Sequence, residues 1–179
     1  MDMIARFHPL IVKRITWLDE AATQAFALAL AKQPAIGNAL IELSGDLGAG
    51  KTTFVRHLLG ALGVQGRIKS PTYAVVETYS LALPSDSNAM HDPINSINSI
   101  NPINISHFDF YRFNDPREWE EAGFRDIFAN QGLKLVEWPE KAGEYLPKPD
   151  LQISIEVMSD ESRVVTLSTF TALGAELIA

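Results

Sequence analysis

Cysteine is absent from the 179-residue sequence. That excludes a disulfide framework, thiol catalysis and any cysteine-ligated metal or cluster. It suits a reducing compartment, and a cytoplasmic location is the expectation. Long apolar runs are also missing: none reaches the roughly 20 residues a membrane helix needs. The longest candidate, "AFALALA" at residues 25–31, follows Asp19 and Glu20 rather than a basic segment, so it reads as the buried part of a helix. No membrane association is expected. Positive charge is scarce. Fifteen Lys and Arg stand against 22 Asp and Glu, a net charge of −7. Phosphate contacts dominate nucleic-acid affinity, so a chain that grips tRNA or DNA unaided carries a basic excess, which this one lacks. Contact with basic partner surfaces fits better.

What is present describes an ordinary globular chain. Apolar residues make up 46% and charged residues 21%, enough for a real core in one domain spanning 1–179. Strand and helix patterns interleave. Residues 19–33 read as a helix, with Thr16 and Asp19 in a capping arrangement and Pro34 and Gly37 ending it. "NALIELSG" reads as a buried strand. Residues 51–63 repeat apolar positions at helical period and stop at Gly63. Strands are expected over 71–81, 105–113 and 133–138. A helix is expected over 114–130, with Asn114 or Asp115 as cap and Pro116 in its first turn. Residues 139–147 read as one helical turn, and 150–157 and 163–169 as a hairpin. The expected fold is a single domain of α/β class: a mostly parallel central sheet, flanking helices and a C-terminal β-hairpin. Residues 84–104 repeat Ile-Asn with Ser or Pro and lack any amphipathic period, so they read as a flexible surface insertion.

One motif carries chemistry. "GDLGAGKT" at residues 45–52 completes the Gly-x-x-x-x-Gly-Lys-Thr pattern between a strand and a helix, so the expected α/β fold is a single P-loop NTPase domain. Gly45, Asp46, Leu47, Gly48, Ala49 and Gly50 form the loop. The glycines allow close backbone approach to phosphate, and successive N–H groups with the helix N-terminus attract an anion. Lys51 is expected to reach the β- and γ-phosphates, and the Thr52 hydroxyl to serve Mg2+. Thr53 either touches a phosphate or is an ordinary first-turn residue. Hydrolysis also needs an acid at the metal and a group that orients water. Glu137 ends "LKLVE" and Asp109 lies in "HFDFYR". Each is either a metal-site carboxylate at a strand end or a surface acid. Arg112 either pairs with Asp109, stabilises transferring charge, or is a surface side chain.

Asn-Lys-x-Asp, the guanine-reading signature, is missing, so ATP is favoured over GTP. Three functions fit such a chain: a partner-dependent ATPase, a small-molecule or nucleoside kinase, and a non-catalytic nucleotide-binding module. Kinases close a lid carrying arginines. Arg112, Arg117, Arg125 and Arg163 form no lid-like cluster.

"GDLGAGKTT", "KSPTY", "HFDFYR" and "VEWPEKAGEYLP" occur in that order. Together they resemble the bacterial tRNA threonylcarbamoyladenosine biosynthesis ATPases, the TsaE (YjeE) family, over roughly residues 16 to 157. The resemblance implies a small cytosolic P-loop ATPase, weakly active alone, that uses ATP and Mg2+ and works with the TsaD and TsaB proteins. Those partners hold the tRNA and make threonylcarbamoyladenosine beside the anticodon of tRNAs reading codons that start with A. It further implies that Lys51 and Thr52 are the Walker residues, that Glu137 is the Mg2+-site acid followed by Trp138, and that Asp109 is tied to hydrolysis. Ser70, Pro71 and Thr72 correspond to a switch segment near the γ-phosphate.

Overall fold

The computed structural model describes residues 7–81 and 102–179. Among these residues seven strands form one sheet in the order β1-β7-β6-β2-β5-β4-β3. They are β1 (Ile11–Trp17), β2 (Leu40–Ser44), β3 (Val76–Leu81), β4 (Ile103–Asp109), β5 (Leu133–Glu137), β6 (Leu151–Val157) and β7 (Arg163–Thr169). The α-helices described with them are α1 (Glu20–Ala31), α2 (Lys51–Leu62), α3 (Glu118–Glu121), α4 (Arg125–Ala129) and α5 (Ala172–Leu177).

The sheet is mixed rather than mostly parallel. β2 pairs in parallel with β5 and β6, and β4 with β5. The pairs β1–β7, β6–β7 and β3–β4 are antiparallel. The parallel centre therefore ends after four strands, β6, β2, β5 and β4, and antiparallel neighbours extend it on both sides. β1 has no counterpart among the expected elements. Its first four residues are exposed, so the edge strand shows no buried alternation, and only Trp17 is fully buried.

Strand alternation divides the interior into two cores. On one face Ile41, Ile105, Leu133 and Leu135 pack with Phe54, Leu58 and Leu59 of α2. Phe108, Phe110 and Val136 point the other way and meet Trp119, Phe124 and Leu146. The period of two puts His107 and Asp109 on the same face as Ile105, and Glu137 on that of Leu135. Register across the β4–β5 pair sets Asp109 opposite Glu137.

Several elements differ from the sequence expectation for local reasons. Asp19 alone caps α1, its carboxylate accepting the Ala22 N–H at 2.8 Å, while Thr16 belongs to β1. The helix expected over 114–130 is broken in two at Gly123, whose φ is 73°. Its cap position is Arg117, not Asn114 or Asp115. The Asp115 carboxylate instead accepts the guanidinium and backbone N–H groups of Arg117, which hold it down at about 2, below the usual carboxylate range. The strand expected over 71–81 begins only at Val76, because Val75 sits at φ 68° and returns its N–H to the Pro71 carbonyl. β4 ends at Asp109 rather than continuing to Phe113, and begins at Ile103. Ile103 and Asn104 therefore belong to the sheet, paired with Leu81 and Ser80, and not to the expected insertion. Of that insertion, 84–101 lies outside the described residues.

Candidate functional site

The C-terminal ends of β2, β4 and β5 meet the loop 45–50 and the start of α2. The loop's shape demands glycine at one position above all. Gly45 has φ 137°, and a Cβ there would come 2.3 Å from the Ile155 carbonyl oxygen of β6. Gly50 caps α2 in the left-handed region at φ 111°. Ala49 is buried under the loop, whereas Leu47 is exposed. Arg163 braces the outside, its Nε donating to the Ala49 carbonyl at 3.3 Å.

Lys51, the first residue of α2, is only 5% exposed. Its Nζ donates to the Gly45 and Asp46 carbonyls at 2.5 and 2.9 Å and lies 3.9 Å from the centre of the Trp138 ring. Burial lowers its pKa, opposed by the carboxylates of Glu137, Glu140, Asp109 and Asp46. Trp138 adopts the left-handed conformation, φ 58°, immediately after β5, and its ring also packs on Tyr111.

Glu137 is buried and held by two elements. The Thr52 hydroxyl of α2 lies 3.0 Å from Oε1 and 2.8 Å from Oε2. The Nε2 of His107, on β4, lies 2.8 Å from Oε1. Asp109 is held differently. Its Oδ2 accepts the Ser70 and Thr72 hydroxyls at 2.6 and 2.5 Å, and its Oδ1 accepts the Tyr111 N–H at 3.0 Å. Pro71, between those hydroxyls, is buried and starts the turn that Val75 closes.

Lys51, Thr52, Thr53, Ser70, Thr72, Asp109 and Glu137 all line one cleft of about 250 Å³, with Gly48 and Trp138 at its walls. The sequence pattern locates the loop and both acids. It leaves Arg112 open between three roles; the guanidinium stacks on the exposed Tyr73 ring at 4.1 Å. It misses His107, which stands out in the sequence only as a neighbour of Asp109. A signal exists: residues 107 and 109 stand two apart on one strand and so share a face.

The donors suit a hard cation. A hydroxyl and one or two carboxylates match Mg2+, which keeps most of its shell as water and phosphate oxygen. Among the described residues there is no cluster of three or more His, Cys, Asp or Glu of the kind that makes an all-protein cage. Nor is any helix there long and apolar enough to cross a membrane.

Fold and site together define a mixed α/β protein whose central strand runs into a glycine loop and a helix, with two buried acids facing that helix. Comparison with known proteins makes this specific. The chain belongs to the TsaE family: the family model described as "Threonylcarbamoyl adenosine biosynthesis protein TsaE" matches residues 17–165. A relative from Haemophilus influenzae, named tRNA threonylcarbamoyladenosine biosynthesis protein TsaE, is 39% identical over 139 residues, covering 78% of this chain and 75% of the relative. The Bacillus subtilis protein of the same name is 34% identical over 166 residues, covering 91% and 89%. The crystal structure of Bacillus subtilis YdiB superposes with a TM-score of 0.65 at 28% identity, over 94% of this chain and 93% of that one.

Proposed function

We propose that this chain is the ATP-binding and ATP-hydrolysing component of threonylcarbamoyladenosine modification of tRNA, acting through TsaD and TsaB in the cytoplasm. The observation that carries the reading is the convergence of Lys51, Thr52, Asp109 and Glu137 on one cleft at the head of the glycine loop. Family membership supplies the biological setting.

In this reading the domain is a P-loop NTPase. Residues 45–53 cradle the phosphates with backbone N–H groups and the N-terminal end of α2. Lys51 exchanges its two loop carbonyls for phosphate oxygens, which compensate its burial better than neutral acceptors do. Thr52 and Glu137 are the protein's oxygen donors for Mg2+. When bound, Mg2+ neutralises charge on the phosphate oxygens during transfer to water. Asp109 helps position water or metal. Ser70, Pro71 and Thr72 report the γ-phosphate by changing their hold on Asp109, and so alter the surface offered to partners. The net charge of −7 agrees with leaving the tRNA to those partners.

The test is ATP hydrolysis by the protein alone and with purified TsaD and TsaB, with Lys51→Ala as control. The expected result is a weak rate that the partners raise and the variant lacks, down on the order of 100-fold. A rate indifferent to the partners overturns the coupled reading and directs the search to a kinase acceptor.

A further inference from the structure

We infer that His107 is a positioning residue: its Nε2–H pins Oε1 of Glu137 and leaves Oε2, with the Thr52 hydroxyl, for the cation. This rests on the proposed function, in that Glu137 and Thr52 are taken as the cation's donors.

The geometry is specific. The His107 side chain is wholly buried and Glu137 nearly so. A carboxylate accepts only, so the 2.8 Å contact to Oε1 requires a proton on Nε2. The other nitrogen, Nδ1, is buried with no hydrogen-bond partner. A histidine kept for the core alone would satisfy both nitrogens or give way to an apolar side chain. The neighbouring same-face positions, Ile105, Leu133 and Leu135, are apolar and fully buried. An imidazole with one orphaned nitrogen is destabilising there. The contact with Glu137 is the ring's polar tether.

The Thr52 hydroxyl has one proton and lies near both carboxylate oxygens. It therefore cannot by itself decide which oxygen stays free. His107 makes the oxygens unequal. Oε1 carries the imidazole donor, and Oε2 carries only the Thr52 contact among the described residues. Thr52 is also a proposed ligand, so its grip on Glu137 alters when a cation arrives. The His107 contact comes from a different strand, and the β4–β5 register holds it in place. Donors that orient a metal-binding carboxylate are worth about 10–100-fold in metal affinity.

The experiment measures binding of a non-hydrolysable ATP analogue by calorimetry, in EDTA and in Mg2+, for wild type, His107→Leu, His107→Gln and Glu137→Gln, with thermal melts of each. Wild type should bind more tightly with Mg2+, and Glu137→Gln should lose that gain. His107→Leu should reduce the gain about tenfold or more while its affinity in EDTA stays within about twofold. Its melting temperature should change little, because the orphaned Nδ1 goes together with one donor to the buried carboxylate. His107→Gln, whose amide N–H reaches as far as Nε2, should recover most of the gain. The inference is overturned if His107→Leu keeps the gain, or if EDTA affinity, melting temperature and gain fall together. Wild type indifferent to Mg2+ would overturn the functional reading and this inference together; a responsive wild type matched by His107→Leu overturns this inference alone. Should the variants not fold, the histidine ring nitrogens are read in wild type by NMR. A His107 Nε2–H resonance that shifts on adding Mg2+ with the analogue supports the pin, and one that does not overturns it.

Discussion

The two acids of the cleft are neighbours in register yet belong to different kinds of wall. Glu137 is clamped between a strand and a helix, through His107 of β4 and Thr52 of α2. Asp109 is clamped by Ser70 and Thr72, which stand on a loop. That loop contains a β-branched residue in the left-handed region, Val75 at φ 68°, and an 85%-exposed Tyr73. Moving Glu137 means separating regular elements that pack a shared core. Moving Asp109's partners means opening one turn that already carries backbone strain. A fixed acid suits a site that must be ready; a releasable one suits a site that must report its occupant.

The largest effect should come from breaking the fixed wall. Glu137→Ala is expected to abolish the Mg2+ dependence of nucleotide binding and slow hydrolysis on the order of 100-fold or more. It also strands the buried His107 donor, so denaturant melts should show a loss of about 1–3 kcal/mol. Hydrogen exchange at residues 70–75 should stay at its wild-type rate. Asp109→Ala should do the reverse to that loop. Exchange at 70–75 accelerates, stability falls by about 2 kcal/mol from the loss of hydroxyl bonds to a carboxylate, and nucleotide affinity in EDTA barely changes. If both variants loosen the loop equally, the contrast between the walls is wrong. Ser70→Ala removes one of the two hydroxyls and should give a milder version, about 1 kcal/mol.

The smallest effect is a pH trend at Lys51, common to both walls. Burial puts its folded-state pKa below the ordinary 10.5. Between the lowered value and 10.5 the unfolded chain binds the extra proton, so stability of the nucleotide-free protein rises with pH across that interval. Nucleotide binding draws on the charged ammonium and should weaken across the same interval. Denaturant midpoints and calorimetry would follow the two trends, and Lys51→Met should flatten both.

The parts legible in the sequence were those with their own local physics. The glycine loop announces itself because Gly45 and Gly50 occupy backbone conformations that side chains resist. β5 announces itself because a strand buried on both faces is a nearly continuous apolar run, here Leu133–Glu137. The sheet's mixed character was not legible. Beyond the antiparallel β6–β7 pair, it depends on β1 and β3, edge strands with many exposed residues, and β1's partner lies far along the chain. The broken helix at Gly123 and the turn at Val75 were set by single backbone conformations that propensity does not weigh. At the site, Lys51, Thr52, Asp109 and Glu137 could be named from spacing. Ser70 and Thr72 were named too, but the hold of these and of Thr52 on the acids was not, nor that of His107, since Ser70 is 39 residues from Asp109 and His107 is 30 from Glu137.

The antiparallel pairing of β3 with β4 has a consequence for engineering. Val76 faces Phe108 beside the cleft, whereas Leu81 faces Ile103 at the far end of the ladder. Between those ends the strand spans about 17 Å. The chain leaves β3 at Leu81 and enters β4 at Ile103, both at that distal end. A fluorescent reporter or affinity handle spliced there would ride on the ladder's distal end and leave the nucleotide chemistry undisturbed.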